Sequence, residues 1–406
     1  MSRTPLLPTA LILGIAMAMP ARAEQALGTV AGSKVSFEGL FQGDAVRYFD
    51  DVANLRGGTP DSPEYAMRMR RAELVLKGKG PGSLEWVAGY DARSRRWLDV
   101  NLKHALGPGT AQLGQFKQPL GLEELSSTRT NDFISKAMLT QSWAGGRRLG
   151  AGYQLSGKRM GAQLSGFTRE LTRDQAVGKG VAARVYGTPL DLDGGGKLHL
   201  GLAVGNQQAR YGISLAHSAR FRARPGNDHS IRLIDTGSLA GADRLRTVAL
   251  EGMWLDGPLK LQAEAMRAKL SRDAGRVPVH ADGAYASVMW NLGGSAWQYK
   301  NGLPSPATPK AGDDLWQLGL RIDRMDLDDA AAGVRGGRMT TLTAGVNWYH
   351  GTHLKLALNL VKADSARFLG TTSRSYSRDP AWNDASLQRV IEDDPGIVQL
   401  RVQWAL

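Results

Sequence analysis

The chain has no cysteine. That absence removes disulfide frameworks, thiolate zinc sites and thiol catalysis together. Beyond the first 23 residues there is no uninterrupted apolar run near the roughly 20 residues that a membrane helix needs, so a bundle of membrane helices is excluded. Acidic residues are the minority charge, 38 Asp and Glu against 51 Lys and Arg, for a formal +13. There is no H-E-x-x-H, Walker A loop or Rossmann fingerprint, and no G-x-S-x-G serine lies beside a histidine. Gly194-Gly195-Gly196 is followed by no helical pattern and reads as a turn. A membrane β-barrel survives all of these exclusions, because alternation dilutes its apolar residues.

What is present begins with an address. Arg3, an apolar stretch from Leu6 to Met19 interrupted by Pro8, and the A-x-A site Ala21-Arg22-Ala23 form a secretory signal peptide over 1–23, with Glu24 as the mature start. Export through the Sec pathway follows, and 24–406 is expected to be one domain. Without Arg3 and Arg22 the mature chain keeps an excess of positive charge. For an exported chain that points to anionic solutes, lipid head groups or peptidoglycan as partners, and not to nucleic acid. No cofactor or metal is expected.

The mature chain alternates with period two. Leu198, Leu200, Leu202 and Val204 interleave with His199, Gly201, Ala203 and Gly205; Trp316, Leu318, Leu320 and Ile322 interleave with Gln317, Gly319, Arg321 and Asp323. The pattern runs to the C-terminus through Val398, Leu400, Val402, Trp404 and Leu406. Strands are predicted at 34–44, 65–77, 81–92, 96–105, 109–118, 147–156, 160–169, 180–189, 197–206, 244–255, 257–269, 283–293, 314–326, 338–350, 352–363 and 396–406. That is an even number, as a bacterial barrel with both ends on one side requires. The fold class is therefore all-β: a 16-stranded antiparallel transmembrane barrel with long extracellular loops and short periplasmic turns. Residues 45–64, 119–146, 218–243 and 364–395 are the long loops. Segment 294–313 is long too, yet periplasmic by parity. Met67 and Met69 are out of phase with Leu74 and Leu76, which leaves the register of 65–77 open. Trp86, Trp97, Trp254, Trp316, Trp348 and Trp404 near strand ends read as an aromatic girdle.

Several stretches resemble the phosphate-selective porins, the porin O/P family: Gly114-Gln115-Phe116-Lys117-Gln118-Pro119-Leu120-Gly121-Leu122-Glu123, Arg70-Arg71-Ala72-Glu73-Leu74, Phe221-Arg222-Ala223-Arg224-Pro225 with Asp235-Thr236-Gly237, Gly257-Pro258-Leu259-Lys260-Leu261-Gln262-Ala263-Glu264, and Gly345-Val346-Asn347-Trp348-Tyr349. The chain departs from the family in ending on Leu406 and in carrying Trp290-Asn291-Leu292-Gly293-Gly294 in place of a T-G-E element. The resemblance implies a trimeric outer-membrane barrel that passes anions such as phosphate or polyphosphate, with an arginine ladder leading to a lysine constriction. Arg220, Arg222 and Arg224 alternate with Phe221 and Ala223, so an extended segment sets them on one side at a repeat of about 6.5–7 Å. Guanidinium binds phosphate bidentately and stays charged. Arg232 is a weaker member of the same loop. Lys117 stands where a strand enters the 119–146 loop, and Lys300 and Lys310 stand in 294–313, where they could extend a positive path below the pore. Arg93, Arg95 and Arg96, and Arg374 with Arg378, are placed to gather anions at the mouth or to contact lipid head groups, and the alternative for the row Arg220, Arg222 and Arg224 is a solvated loop or a contact to lipopolysaccharide phosphates. Asp91, Asp99, Glu264 and Asp323 face the lumen by parity and are expected to pair with wall arginines. The alternatives are an outer-membrane barrel enzyme, a non-selective general porin, and a receptor or adhesin barrel.

Overall fold

The computed structural model describes residues 25–49, 55, 64–172, 178–191, 195–209, 218–273, 275–368 and 389–406. All sixteen alternating segments are strands of one closed wall: β1 (Ser33–Phe49), β2 (Tyr65–Lys79), β3 (Glu85–Asp91), β4 (Arg96–Leu106), β5 (Gly109–Lys117), β6 (Arg147–Ser156), β7 (Met160–Phe167), β8 (Gly180–Asp191), β9 (Lys197–Gln208), β10 (Ala242–Asp256), β11 (Leu259–Arg272), β12 (Val279–Leu292), β13 (Asp314–Asp329), β14 (Val334–His350), β15 (Leu354–Phe368) and β16 (Gly396–Ala405). Neighbours in sequence pair antiparallel, and β16 closes on β1 from Leu40↔Ala405 to Phe49↔Gly396. Closure leaves the wall no unpaired edge, which is the condition for strands to cross a lipid bilayer. A short leading strand, Gln25–Val30, doubles back on the start of β1. The signal-peptide expectation for 1–23 and the arginines Arg374 and Arg378 lie outside the described residues.

The open register of β2 has a physical answer. Gln42 pairs with Arg71, but Gly43 pairs with Met69, so Arg70 is an extra residue in β2. A bulge of this kind shifts side-chain parity by one. Met67 above it and Leu74 and Leu76 below it therefore all face outward, exposed by 78%, 42% and 40%.

Several strands run longer at the outer end than the alternation predicts: β12 begins at Val279 rather than 283, β14 at Val334 rather than 338, and β15 ends at Phe368 rather than 363. β3 is shorter, starting at Glu85 rather than 81. The extensions were hidden because the apolar set changes face. On β13, Trp316, Leu318, Leu320 and Ile322 point out, but two residues further up Arg324 points out and Met325 and Leu327 point in. On β11, Leu261, Ala263 and Ala265 point out, then Arg267 and Lys269 do, while Met266, Ala268 and Leu270 turn inward. In its outer half the barrel is thus built like a water-soluble protein, with an apolar interior.

The opposite end carries the tryptophans. Trp86, Trp254, Trp316, Trp348 and Trp404 all lie at the short-turn end of the wall, and Trp316 stacks on Trp348 with ring centroids 5.8 Å apart. Trp97 lies at the other end of the wall, beside the 92–95 turn. Trp86 lies flat over Gly78, where a Cβ would stand 2.0 Å from its Nε1, so only glycine fits that position.

Candidate functional site: segments folded into the lumen

Two of the long connections fold inside the barrel. The first joins β5 to β6 and carries α1 (Leu122–Leu125), a 3₁₀ turn (Thr128–Thr130) and α2 (Met138–Trp143). The first amides of a helix have no partner within it. Here the wall supplies them. Leu122 N and Glu123 N donate to the two oxygens of Glu264, each at 2.7 Å; Met138 N donates to Asp323 Oδ2 at 2.7 Å. Glu264 and Asp323 do face the lumen, but their carboxylates accept backbone N–H groups instead of pairing with wall arginines. Asp99 does pair with one, Arg147, at 2.8 Å. Asp91 accepts from the amides of Ala72 and Arg93 and from Ser94 Oγ, closing the 92–95 turn.

Wall cations hold the same segment from the other side. Lys260 Nζ reaches both oxygens of Asp132 at 2.7 Å, Lys355 Nζ donates to Asn131 O at 2.6 Å, and Arg321 Nη1 to Ser135 O at 3.0 Å. Arg401 forks onto Asp44 with two bonds of 2.7 Å and donates a third to Ile134 O at 2.8 Å. Sequence reasoning missed these four cations as clamps. Parity puts them in the lumen, but nothing local says that a loop returns to meet them.

Lys117 ends β5 and donates to Glu124 O at 2.5 Å and Ser126 O at 3.0 Å, so its ammonium caps the C-terminal end of α1. Beside it, Lys136 Nζ stands 2.5 Å from Glu124 Oε2. Burial acts to raise the Glu124 carboxyl, but the charges of Lys136 and Lys117 prevail and hold it at about 2.

The second inserted segment, 218–241, forms two small ladders, Ser218–Ala219 with Leu239–Ala240 and Arg222–Ala223 with Ile234–Asp235. Phe221 and Ala223 are buried, Phe221 edge-on against Trp143 of α2 at 6.0 Å. Alternation then leaves Arg220, Arg222 and Arg224 on the opposite edge of the segment, the first exposed and the others half-buried. Arg220 Nε lies 2.5 Å from Asp235 Oδ1, and Arg224 Nε donates to Ser230 O at 2.7 Å. Asp228 fixes the loop to the wall through Arg70 at 2.7 Å, and His229 Nε2 lies 2.7 Å from Asp44 Oδ2. Burial opposes ionisation of Asp228, but Arg70 and Arg401 outweigh it and hold its carboxyl well below the usual range.

Segment 294–313 rises from the short-turn end. Trp297 is buried with Leu122, Phe133, Met253, Leu255 and Met289. A hairpin of Gln298–Lys300 and Leu303–Ser305 brings Tyr299 Oη to 2.8 Å from His199 Nδ1 and Gly302 O to 3.1 Å from Arg184 Nη2. Burial, with Tyr186 nearby, pushes the Tyr299 hydroxyl up to about 12. Arg184 also forks onto Glu251, both fully buried. Lys300 and Lys310 are exposed at this end and away from Lys117. Arg93 donates to Met69 O at the outer rim, where Arg96 pairs with Glu170.

The inserted segments cover one side of the lumen. Inward residues of β13 to β16 are sealed: Gln317 at 1%, Asn347 at 0%, Asn359 at 1% and Gln399 at 1% exposure. Across the barrel, the side chains of Asp99 and Arg147 keep 32% and 24%. The lumen is therefore more open beside the Asp99–Arg147 pair than along β13 to β16.

The phosphate-selective porin O and P family matches residues 43–376 of the chain. Porin O of Pseudomonas aeruginosa is 25% identical over 366 aligned residues, covering 80% of this chain and 82% of the relative. Among solved structures, the anion-selective porin from Comamonas acidovorans superposes with a TM-score of 0.57 at 13% identity, over 92% of this chain and all of that one. The trimer form of OmpT, an outer membrane protein of Vibrio cholerae, superposes with a TM-score of 0.56 at 9% identity over the same share of this chain and all of its own.

Proposed function

Because the chain belongs to the phosphate-selective porin O and P family, an outer-membrane family of channels, we propose that it passes small inorganic anions, with phosphate and polyphosphate preferred. The observation that carries this reading is the row Arg220, Arg222 and Arg224 on a segment folded into the lumen, held at its back by Phe221, Ala223 and Trp143. Anchoring of that kind fixes guanidinium groups in place beforehand, so little order is lost when an anion arrives. The anion meets the arginines first. It then passes the level where Lys117, Lys136 and Arg147 border α1, and leaves by the short-turn end near Lys300 and Lys310. In a narrow lumen of low effective dielectric such charges attract anions more strongly than in bulk water. Transport is passive and involves no bond-making, and the protein works as a channel rather than an enzyme.

The assembly proposed is a homotrimer, exported through the Sec pathway after loss of 1–23 and seated among outer-membrane lipid and lipopolysaccharide. The test is single-channel conductance in a KCl gradient, then block by added phosphate. Arg220→Ala/Arg222→Ala/Arg224→Ala is expected to weaken phosphate block at least about tenfold, since one charge-assisted contact contributes about 1.5–3 kcal/mol and tenfold corresponds to about 1.4 kcal/mol. Unchanged block would refute the ladder, and cation preference in the KCl gradient would refute the anion channel. A non-selective porin would show neither block nor strong preference.

A further inference from the structure

The outer surface of the barrel carries a feature that the channel does not use. On the lipid-facing side of β10 to β13, at the end of the wall with long loops, Arg246, Arg267, Lys269 and Arg324 are all exposed. None of the four side chains has a hydrogen bond or ion pair among the described residues. They are neighbours across the sheet: Arg246 pairs in register with Lys269, Arg267 stands opposite Val248 and Asp282, and Arg324 stands opposite Ala284. Two outward carboxylates, Asp282 and Asp326, share the patch and leave it net positive. Below the cations the wall is recessed. Ala265 and Ala284 lie between Val248 and Leu250 on one side and Arg324 on the other, and the resulting hollow has a volume of about 700 Å³.

The height of the patch in the wall is fixed by the girdle at the other end. Arg246 and Arg324 each stand eight residues from a tryptophan on the same face of the same strand, Trp254 and Trp316. At ordinary strand rise and tilt, eight residues span about 20 Å along the membrane normal, within the roughly 25 Å of a barrel's apolar band. The cations therefore lie at the outer margin of that band, where the head groups of the outer leaflet begin. This is also the level at which the apolar residues of β11 and β13 change face. Charged residues on the lipid face destabilise a barrel at the midplane and cost little at the interface.

We propose that this hollow is a binding site for a phosphorylated, multi-acyl glycolipid of the outer leaflet, with the chemistry of lipid A. Its phosphates would sit on Arg246, Arg267, Lys269 and Arg324, and its acyl chains would descend the alanine-lined recess. Charge complementarity favours such a lipid over a second copy of this chain, which itself keeps an excess of Lys and Arg over Asp and Glu without Arg3 and Arg22. The proposal rests on the outer-membrane reading, but not on the anion ladder, since all four cations lie outside the lumen.

The test uses the detergent-solubilised oligomer. Bisphosphoryl lipid A, the same lipid after removal of its phosphates, and inorganic phosphate are each titrated by native mass spectrometry. The wild-type protein is expected to bind bisphosphoryl lipid A at least tenfold more tightly than the dephosphorylated lipid, and millimolar inorganic phosphate is expected not to displace it. The variant R246Q/R267Q/K269Q/R324Q is expected to lose at least tenfold in lipid A affinity while keeping its heat-modifiable mobility and wild-type phosphate block. Equal binding of the two lipids by the wild-type protein overturns the proposal and needs no variant. Displacement by inorganic phosphate, or dissociation of the variant into monomers without lipid, also overturns it; the latter would make the patch a protomer contact. Failure of the channel reading appears separately, as cation preference or absent phosphate block in the wild-type protein.

Discussion

Glu264 sits on the wall of β11 with its two oxygens on the first amides of α1 and a third contact from Tyr285 Oη at 2.7 Å. Removing that carboxylate leaves the buried N–H of Leu122 without its partner, at a cost of about 1–3 kcal/mol, and the half-buried N–H of Glu123 without its own. Glu264→Ala is accordingly expected to loosen the inserted segment and to raise and broaden single-channel conductance; an unchanged conductance histogram would exclude a positioning role. Glu124 gives a pH dependence. Its carboxyl is lowered in the folded protein to about 2, so the stability it contributes is complete above the ordinary glutamate value near 4.3 and is lost as pH falls through about 2. The contribution of Glu124 is expected to stay level from pH 7 to pH 5. Lys136→Ala removes a charge that lowers this carboxyl, and acid-induced flicker is expected to begin at higher pH in that variant. Identical titrations for the two proteins would count against it.

Among the elements, the 294–313 connection has the least obvious reason to be ordered, since it is long and lies on the side of short turns. Its anchor is Trp297, 8% exposed, whose Nε1 donates to Pro258 O at 3.0 Å and whose ring lies 4.1 Å from Lys260 Nζ. Gly302, at φ +77°, lets the hairpin turn against the Tyr186 ring, which a Cβ would approach to 2.7 Å. Truncating a buried tryptophan costs about 3–5 kcal/mol. Because the wall is hydrogen-bonded without this segment, that loss is expected to appear locally. Trp297→Ala should expose 294–313 to proteolysis from the periplasmic side while the heat-modifiable barrel persists. Resistance equal to the wild-type protein would mean that the hairpin is held by Tyr299 and Arg184 alone.

The whole molecule is a closed hydrogen-bonded cylinder whose outer half has an apolar interior and whose inner half has an apolar exterior. A closed wall of this kind unfolds as a unit. The mature protein is expected to run as heat-modifiable oligomers in detergent, and a water-soluble monomer would contradict that reading. Its net charge acts at a distance that salt sets, with a screening length of about 10 Å at 0.1 M and about 3 Å at 1 M. Anion preference measured by reversal potential is therefore expected to fall as KCl rises. Preference that does not change with salt would mean that selectivity comes from close contact at the constriction rather than from the field of the lumen.

Sequence alone determined the wall. Period-two alternation is a local property of a strand with one face in lipid, so sixteen strands, their order, the closing C-terminal strand and the inward placement of Arg321, Asp323 and Glu264 are all legible from residue order. The alternation of Arg220, Arg222 and Arg224 with Phe221 and Ala223 is legible too, but the burial of Phe221 and Ala223 inside the lumen is not. Tertiary structure decided what the inward residues meet. Whether Glu264 holds an arginine or a helix end depends on a loop more than a hundred residues away, and no local pattern encodes that return. The bulge at Arg70 and the change of face at Arg324 were hidden by the same limit. Alternation reports which residues are apolar, but which side is lipid and which is packed protein depends on what fills the barrel.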